Sequence, residues 1–180
     1  MRVLEVNVDQ ALTLIRTIPD YPKPGILFQD ITPVLSNPEA FNVVVRALAQ
    51  VDPESSVVAG IEARGFIFAS AIAVAKGCGF VPIRKKGKLP YSTYSKQYGL
   101  EYGVDEIEIH TDAFEPGSKV LLVDDVLATG GTLVAAIELV TQAGGIVTDI
   151  AVLSEITFLG GRTRIAEHSP DISIHALTSG

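Results

Sequence analysis

Tryptophan is absent from this chain of 180 residues, and cysteine occurs once. A lone thiol, Cys78, excludes an intramolecular disulfide framework, so the fold must rest on its core, and a reducing, cytoplasmic setting is expected. In its apolar surroundings Cys78 reads as a small packing residue. No run of about 18 apolar residues occurs anywhere, which excludes a membrane-spanning helix. The first residues also lack the basic segment, apolar stretch and small-residue cleavage site of an export signal. Positive charge is scarce too. Fourteen Lys and Arg stand against 21 Asp and Glu, a net charge of −7, whereas nonspecific nucleic-acid binding needs a basic surface to neutralise phosphates. The three histidines, His110, His168 and His175, show no metal-ligand spacing. What remains is 47% hydrophobic and 19% charged, the composition of one globular domain with a substantial core.

Asn7 with Gln10 predicts a helix start, and Val8, Ala11, Leu12 and Ile15 continue it until Pro19. The segment from Tyr21 to Pro33 is too rich in proline for a helix and too apolar for a linker, so an ordered lid is expected. Asn37 and Pro38 open a helix through Phe41, Val44, Val45 and Leu48. A strand at Val57 to Gly60, a helix from Phe66 to Ala75 ending near Gly77, and a strand from Gly79 to Ile83 make a βαβ unit. About twenty residues from Arg84 to Gly103 show no apolar period and read as a long functional loop. Ile107 and Ile109 alternate with acids in a half-exposed strand. A strand over Val120 to Val123, a helix from Thr132 to Ala143 and a strand from Ile146 to Leu153 complete the pattern, with no chemistry legible after Glu155. Alternating strands and helices predict an α/β fold, a mostly parallel central sheet with helices on both faces.

Chemistry concentrates where Val120 to Val123 deliver Asp124 and Asp125 into the turn Ala128-Thr129-Gly130-Gly131-Thr132. In open α/β sheets ligands bind at the carboxyl ends of strands, and the backbone N–H groups of a helix start hold anions. Gly130 and Gly131 let the backbone approach a phosphate, and the two threonines add hydroxyls. The acids would repel that phosphate, so vicinal ribose hydroxyls suit them better. A second strand-loop-helix junction, Gly60 to Phe66, carries Arg64, which fits either another anion site or a surface ion pair with Glu62. Arg84, Lys85, Lys86 and Lys88 crowd four cations into five positions of an acidic chain. A solvated charge run is one reading; binding of a pyrophosphate by Arg84, Lys85 and Lys88 is the other.

The run Val120-Leu121-Leu122-Val123-Asp124-Asp125-Val126-Leu127-Ala128-Thr129-Gly130-Gly131-Thr132 resembles the phosphoribosyl-pyrophosphate (PRPP) signature of the type I phosphoribosyltransferases. That resemblance implies that Asp124 and Asp125 hold the ribose hydroxyls, that Ala128 to Thr132 wrap the 5′-phosphate, and that Arg64 grips pyrophosphate. Arg84 to Pro90 and Tyr98-Gly99-Leu100-Glu101-Tyr102-Gly103 are similar, more narrowly, to the adenine phosphoribosyltransferases. It implies a hood over about residues 1–35 in which Leu27, Phe28 and Gln29, with Leu127, receive adenine. It also implies a flexible catalytic loop over about 84–103 whose Glu101 takes the purine proton. Many relatives carry arginine where Gln29 stands, which bears on purine preference. Magnesium is expected to arrive with PRPP rather than in a permanent protein site, and a homodimer is expected. Two alternatives stay open: another purine (xanthine, hypoxanthine or guanine), or a noncatalytic PRPP-sensing regulator. The latter would need a DNA-binding segment, and the residues before Asn37 offer neither helix-turn-helix nor basic patch.

Overall fold

In the computed structural model, which describes residues 6–100 and 103–180, a capping box starts helix α1 (Val8–Leu12): Asn7 accepts from the Gln10 N–H, and Gln10 from the Asn7 N–H. The helical spacing predicted as far as Ile15 is broken early. Arg16–Ile18 forms strand β1, paired antiparallel with β2 (Phe28–Asp30). Thr17 and Ile18 are β-branched, and a residue before proline is pushed out of the helical region, so extended backbone wins here. A short helix α2 (Thr32–Ser36) follows. The Asn37 side chain then accepts from the Ala40 N–H at 3.0 Å, and α3 (Pro38–Ala49) begins. Contacts group residues 1–47 and residues 48–180 into two compact units. Ala11, Val34, Ala40 and Val44 are fully buried in the first.

The second unit runs β3 (Val57–Ile61), α4 (Gly65–Lys76), β4 (Gly79–Lys85), β5 (Thr93–Leu100), β6 (Gly103–His110), β7 (Lys119–Leu127), α5 (Gly131–Gln142), β8 (Ile146–Glu155), α6 (Gly161–His168) and β9 (Ser173–Ser179). Its seven strands lie in the order β5-β6-β4-β3-β7-β8-β9. The five from β4 to β9 are parallel, and β6 and β5 extend them as an antiparallel hairpin. Strand residues alternate between two cores. Ala59, Ile61, Val120, Leu122, Ile150 and Val152 pack with Leu133, Ile137 and Leu139 of α5. On the opposite pleat, Gly60 admits α4 so closely that a Cβ there would lie 2.5 Å from the Ala69 Cβ. The fold is thus the α/β arrangement expected, helices covering both faces.

Two readings need correction. Residues 93–100, expected within an aperiodic loop, are strand β5, paired to β6 from Thr93↔His110 to Leu100↔Gly103. Its period was disguised because only Tyr94 and Tyr98 pack against the core, as partly buried side chains, while the rest is polar edge. Beyond Leu153, where the sheet was expected to end, β8 continues to Glu155 and β9 adds a further parallel strand. Because β4, β3, β7 and β8 are parallel neighbours, their carboxyl ends lie side by side. The loops that follow them therefore share one rim.

Candidate active site

At that rim Asp125 is buried, 6% exposed, and forms an ion pair with Arg64 Nε at 2.8 Å. Asp124 is half-buried and lines a pocket of about 150 Å³ with Leu127, Ala128, Thr129, Gly130, Thr132 and Leu133. Its Oδ1 accepts from the Asp125 N–H at 2.8 Å. Burial, and then the negative charge of Asp125, push the Asp124 pKa well above the ordinary carboxylate value. Burial raises Asp125 as well, against the opposing pull of Arg64. The pair therefore holds protons more tightly than exposed aspartates do, as two acids sharing a confined site must. Gly65, the first residue of α4, makes room for them: a Cβ there would lie 3.0 Å from Asp124 Oδ1.

The pocket's far wall is the turn into α5. Gly130 sits at the helix cap with φ 77°, a left-handed conformation suited to glycine, and no side chain caps the helix. Its first N–H groups thus have no intrahelical partner and sit at the positive end of the helix dipole, the local chemistry of an anion seat. This turn is braced by α6. A Cβ on Gly161 would lie 2.1 Å from the Ala128 carbonyl oxygen, and one on Gly130 would lie 2.7 Å from the Gly161 carbonyl oxygen. Only two glycines allow backbones to meet so closely. Arg162 fixes α6 in turn, holding the buried Glu155 carboxylate through Nε at 3.1 Å and Nη2 at 2.6 Å, and donating from Nη1 to the Ile174 carbonyl at 2.9 Å.

Arg64 stands at the start of α4, and Glu62, two residues earlier, gathers the basic cluster. Its carboxylate accepts from Arg84 Nε at 3.3 Å, from the Lys85 N–H at 3.0 Å and from Lys88 Nζ. Burial works to raise the Glu62 pKa, yet the hydrogen bonds from Lys88, Lys85 and Arg84 outweigh it and hold the group below its usual value. Lys85 Nζ turns to Asp105 at 2.8 Å, and Lys86 to Glu106 at 2.9 Å. The cluster is thus built into the rim beside Arg64, each cation resting on a carboxylate. The β3–β4 register, which places Ile61 opposite Ile83, brings these loops together.

In the first unit Leu27 is 64% exposed, and Phe28 packs edge-on against Tyr21 with ring centroids 5.1 Å apart. Gln29 lies in β2 opposite Thr17. Leu127 is fully buried in the main core, forming an apolar wall of the Asp124 pocket. Glu101 lies outside the described residues. Among the described residues no group of three His, Cys, Asp or Glu is gathered so as to hold a metal ion, and no helix is long and apolar enough to cross a membrane. Gly65, Gly161 and Arg162 were the residues missed, and Glu62, read as a surface partner for Arg64, is a half-buried carboxylate paired with Arg84 and Lys88, while Arg64 pairs with Asp125. For Gly161 a signal existed: Gly160-Gly161 opens a helix after a strand, just as Gly130-Gly131 does.

Comparison with known proteins agrees with this geometry. The phosphoribosyl transferase domain family model matches residues 30–164. An adenine phosphoribosyltransferase of Thermobifida fusca is 53% identical over 167 residues, 92% of this chain and 93% of its own. The crystal structure of adenine phosphoribosyltransferase from Thermoanaerobacter pseudethanolicus superposes with a TM-score of 0.91 at 46% identity, covering 97% of this chain and 100% of that one. The Saccharomyces cerevisiae enzyme, complexed with an imino-altritol bisphosphate and adenine, gives a TM-score of 0.87 at 36% identity over 94% of this chain and 97% of its own. The acid pair, the braced turn and these likenesses converge, and the chain belongs to the phosphoribosyltransferase family, among the adenine phosphoribosyltransferases.

Proposed function

We propose that this chain transfers the 5-phosphoribosyl group of PRPP to adenine, giving AMP and pyrophosphate in purine salvage. The observation that carries this reading is the pocket formed by Asp124 and the uncapped start of α5, with Arg64 tied to the same acid pair. In the reaction purine N9 forms a bond to ribose C1′ as the C1′–O bond to pyrophosphate breaks and the N9 proton departs. Asp124 and Asp125 receive the ribose 2′ and 3′ hydroxyls. The turn from Ala128 to Thr132 seats the 5′-phosphate, holding the sugar while its ring carbon becomes electron-poor. Arg64, with Arg84, Lys85 and Lys88 on the same rim, takes up the charge developing on pyrophosphate. Glu101 accepts the purine proton, and Leu27, Phe28 and Gln29, together with Leu127, contact the base.

Magnesium, entering with PRPP, would neutralise its diphosphate, and the carboxylates of Asp124 and Asp125 are hard oxygen donors of the kind that ion prefers. A homodimer and a cytoplasmic location belong to the same reading. Incubating the protein with PRPP, magnesium and a panel of purines tests it. AMP formed from adenine, with xanthine, hypoxanthine and guanine slower by at least about tenfold, is the expected result. Turnover of another purine but not adenine would overturn the base assignment, and no turnover of any purine would overturn the enzyme assignment.

A further inference from the structure

We propose that Arg164 of α6 is a further binding residue for PRPP, clamping the 5′-phosphate against the start of α5; this rests on the function proposed above. The backbone contact between Gly161 and the Ala128–Gly130 turn fixes where α6 begins. Three residues on, the same side of the helix returns. There Arg164 lays its guanidinium on Gly131: a Cβ on that glycine would lie 3.2 Å from Nη1 and 3.6 Å from Cζ. Gly131 does not itself line the pocket, but its neighbours Gly130 and Thr132 do, so a small swing of an exposed side chain delivers the guanidinium to the anion seat.

Charge balance requires such a group. A phosphate monoester carries about −1.5 to −2 at neutral pH, whereas a helix start offers roughly +0.5. Asp124 and Asp125 add negative charge at the same rim, and the nearby cations already serve other partners. Arg64 is paired with Asp125, Arg84 and Lys88 with Glu62, Lys85 with Asp105, Lys86 with Glu106 and Arg162 with Glu155. Among the described residues no carboxylate lies within ion-pair distance of Arg164. Its fork of N–H donors matches two phosphate oxygens at once.

The test separates the two anionic ends of PRPP. Calorimetric binding of ribose 5-phosphate and of inorganic pyrophosphate is measured for the wild-type chain, Arg164→Gln and Arg164→Lys, with the KM for PRPP and for adenine alongside. Arg164→Gln is expected to weaken ribose 5-phosphate about tenfold, the loss of one exposed charged contact, and to raise the KM for PRPP. Pyrophosphate affinity and the KM for adenine should hold, and Arg164→Lys should recover part of the loss. Unchanged ribose 5-phosphate affinity, an equal loss for both anions, or no recovery with lysine would each overturn the role. Since ribose 5-phosphate binding needs no base, failure of adenine turnover in the wild type would sink the proposed function while leaving this result readable.

Discussion

Asp124 and Asp125 crowd two carboxylates together, adjacent in sequence, one half-buried and the other buried. Both pKa values are raised by burial, and that of Asp124 also by its neighbour's charge. An acid whose folded pKa lies above its unfolded value contributes stability in full below the unfolded pKa and loses it as pH rises through the folded one. At neutral pH the pair therefore destabilises the ligand-free protein. Asp124→Asn removes the charge and keeps the oxygen that accepts from the Asp125 N–H, so at pH 7.5 it should melt higher, by about 1 kcal/mol in stability, while turnover collapses. The gain should shrink toward pH 4.5. Thermal unfolding of both proteins at the two pH values checks this, and a gain independent of pH would contradict the electrostatic origin. These acids were legible in the sequence because strand, acid pair and turn are contiguous. Glu62 was not, since its role as the seat of Arg84 and Lys88 exists only through the β3–β4 register.

Among the elements, α6 shows how a glycine turn, the proposed phosphate seat, is kept in shape from outside. The Ala128–Gly130 turn was legible from its own residues, but its brace comes from a helix that begins at Gly161, whose sequence carries little apolar pattern to announce it. Strand β5 escaped for a similar reason, its ladder to β6 carrying few core side chains. Gly161→Ala places a methyl group 2.1 Å from the Ala128 oxygen, and backbone cannot yield as a side-chain tip can. We expect a destabilisation of about 2 kcal/mol, typical of overpacking, and ribose 5-phosphate binding weakened more than in Arg164→Gln. Equal melting and equal binding in calorimetry would show that the turn needs no such brace.

Across the whole molecule, the parallel strand order aligns the ends of β4, β3, β7 and β8, and this much followed from the alternation of strands and helices. Which strand closes the sheet did not, because β9 is only partly buried along its length and shows no apolar run. It nonetheless secures the rim: the Ile174 carbonyl accepts from Arg162, and the Gly180 carbonyl accepts from both the N–H and the hydroxyl of Thr157, at 2.9 and 3.0 Å. Ending the chain at Asp171 strips these contacts and bares the edge of β8. A melting temperature lower by about 10 °C or more is expected, corresponding to roughly 4 kcal/mol in a protein of this size, with aggregation on heating. A truncated chain that melts like the full one would refute the role of β9.

The meeting of Gly130 with Gly161 also sets a timetable for synthesis. A growing chain displays its acid pair and glycine turn some thirty residues before the helix that braces the turn, so a phosphoribosyl ligand can find the completed seat only after that helix has been made. The ligand can stabilise only what α6 has already completed, which leaves the buried acids to be accommodated by the polypeptide alone.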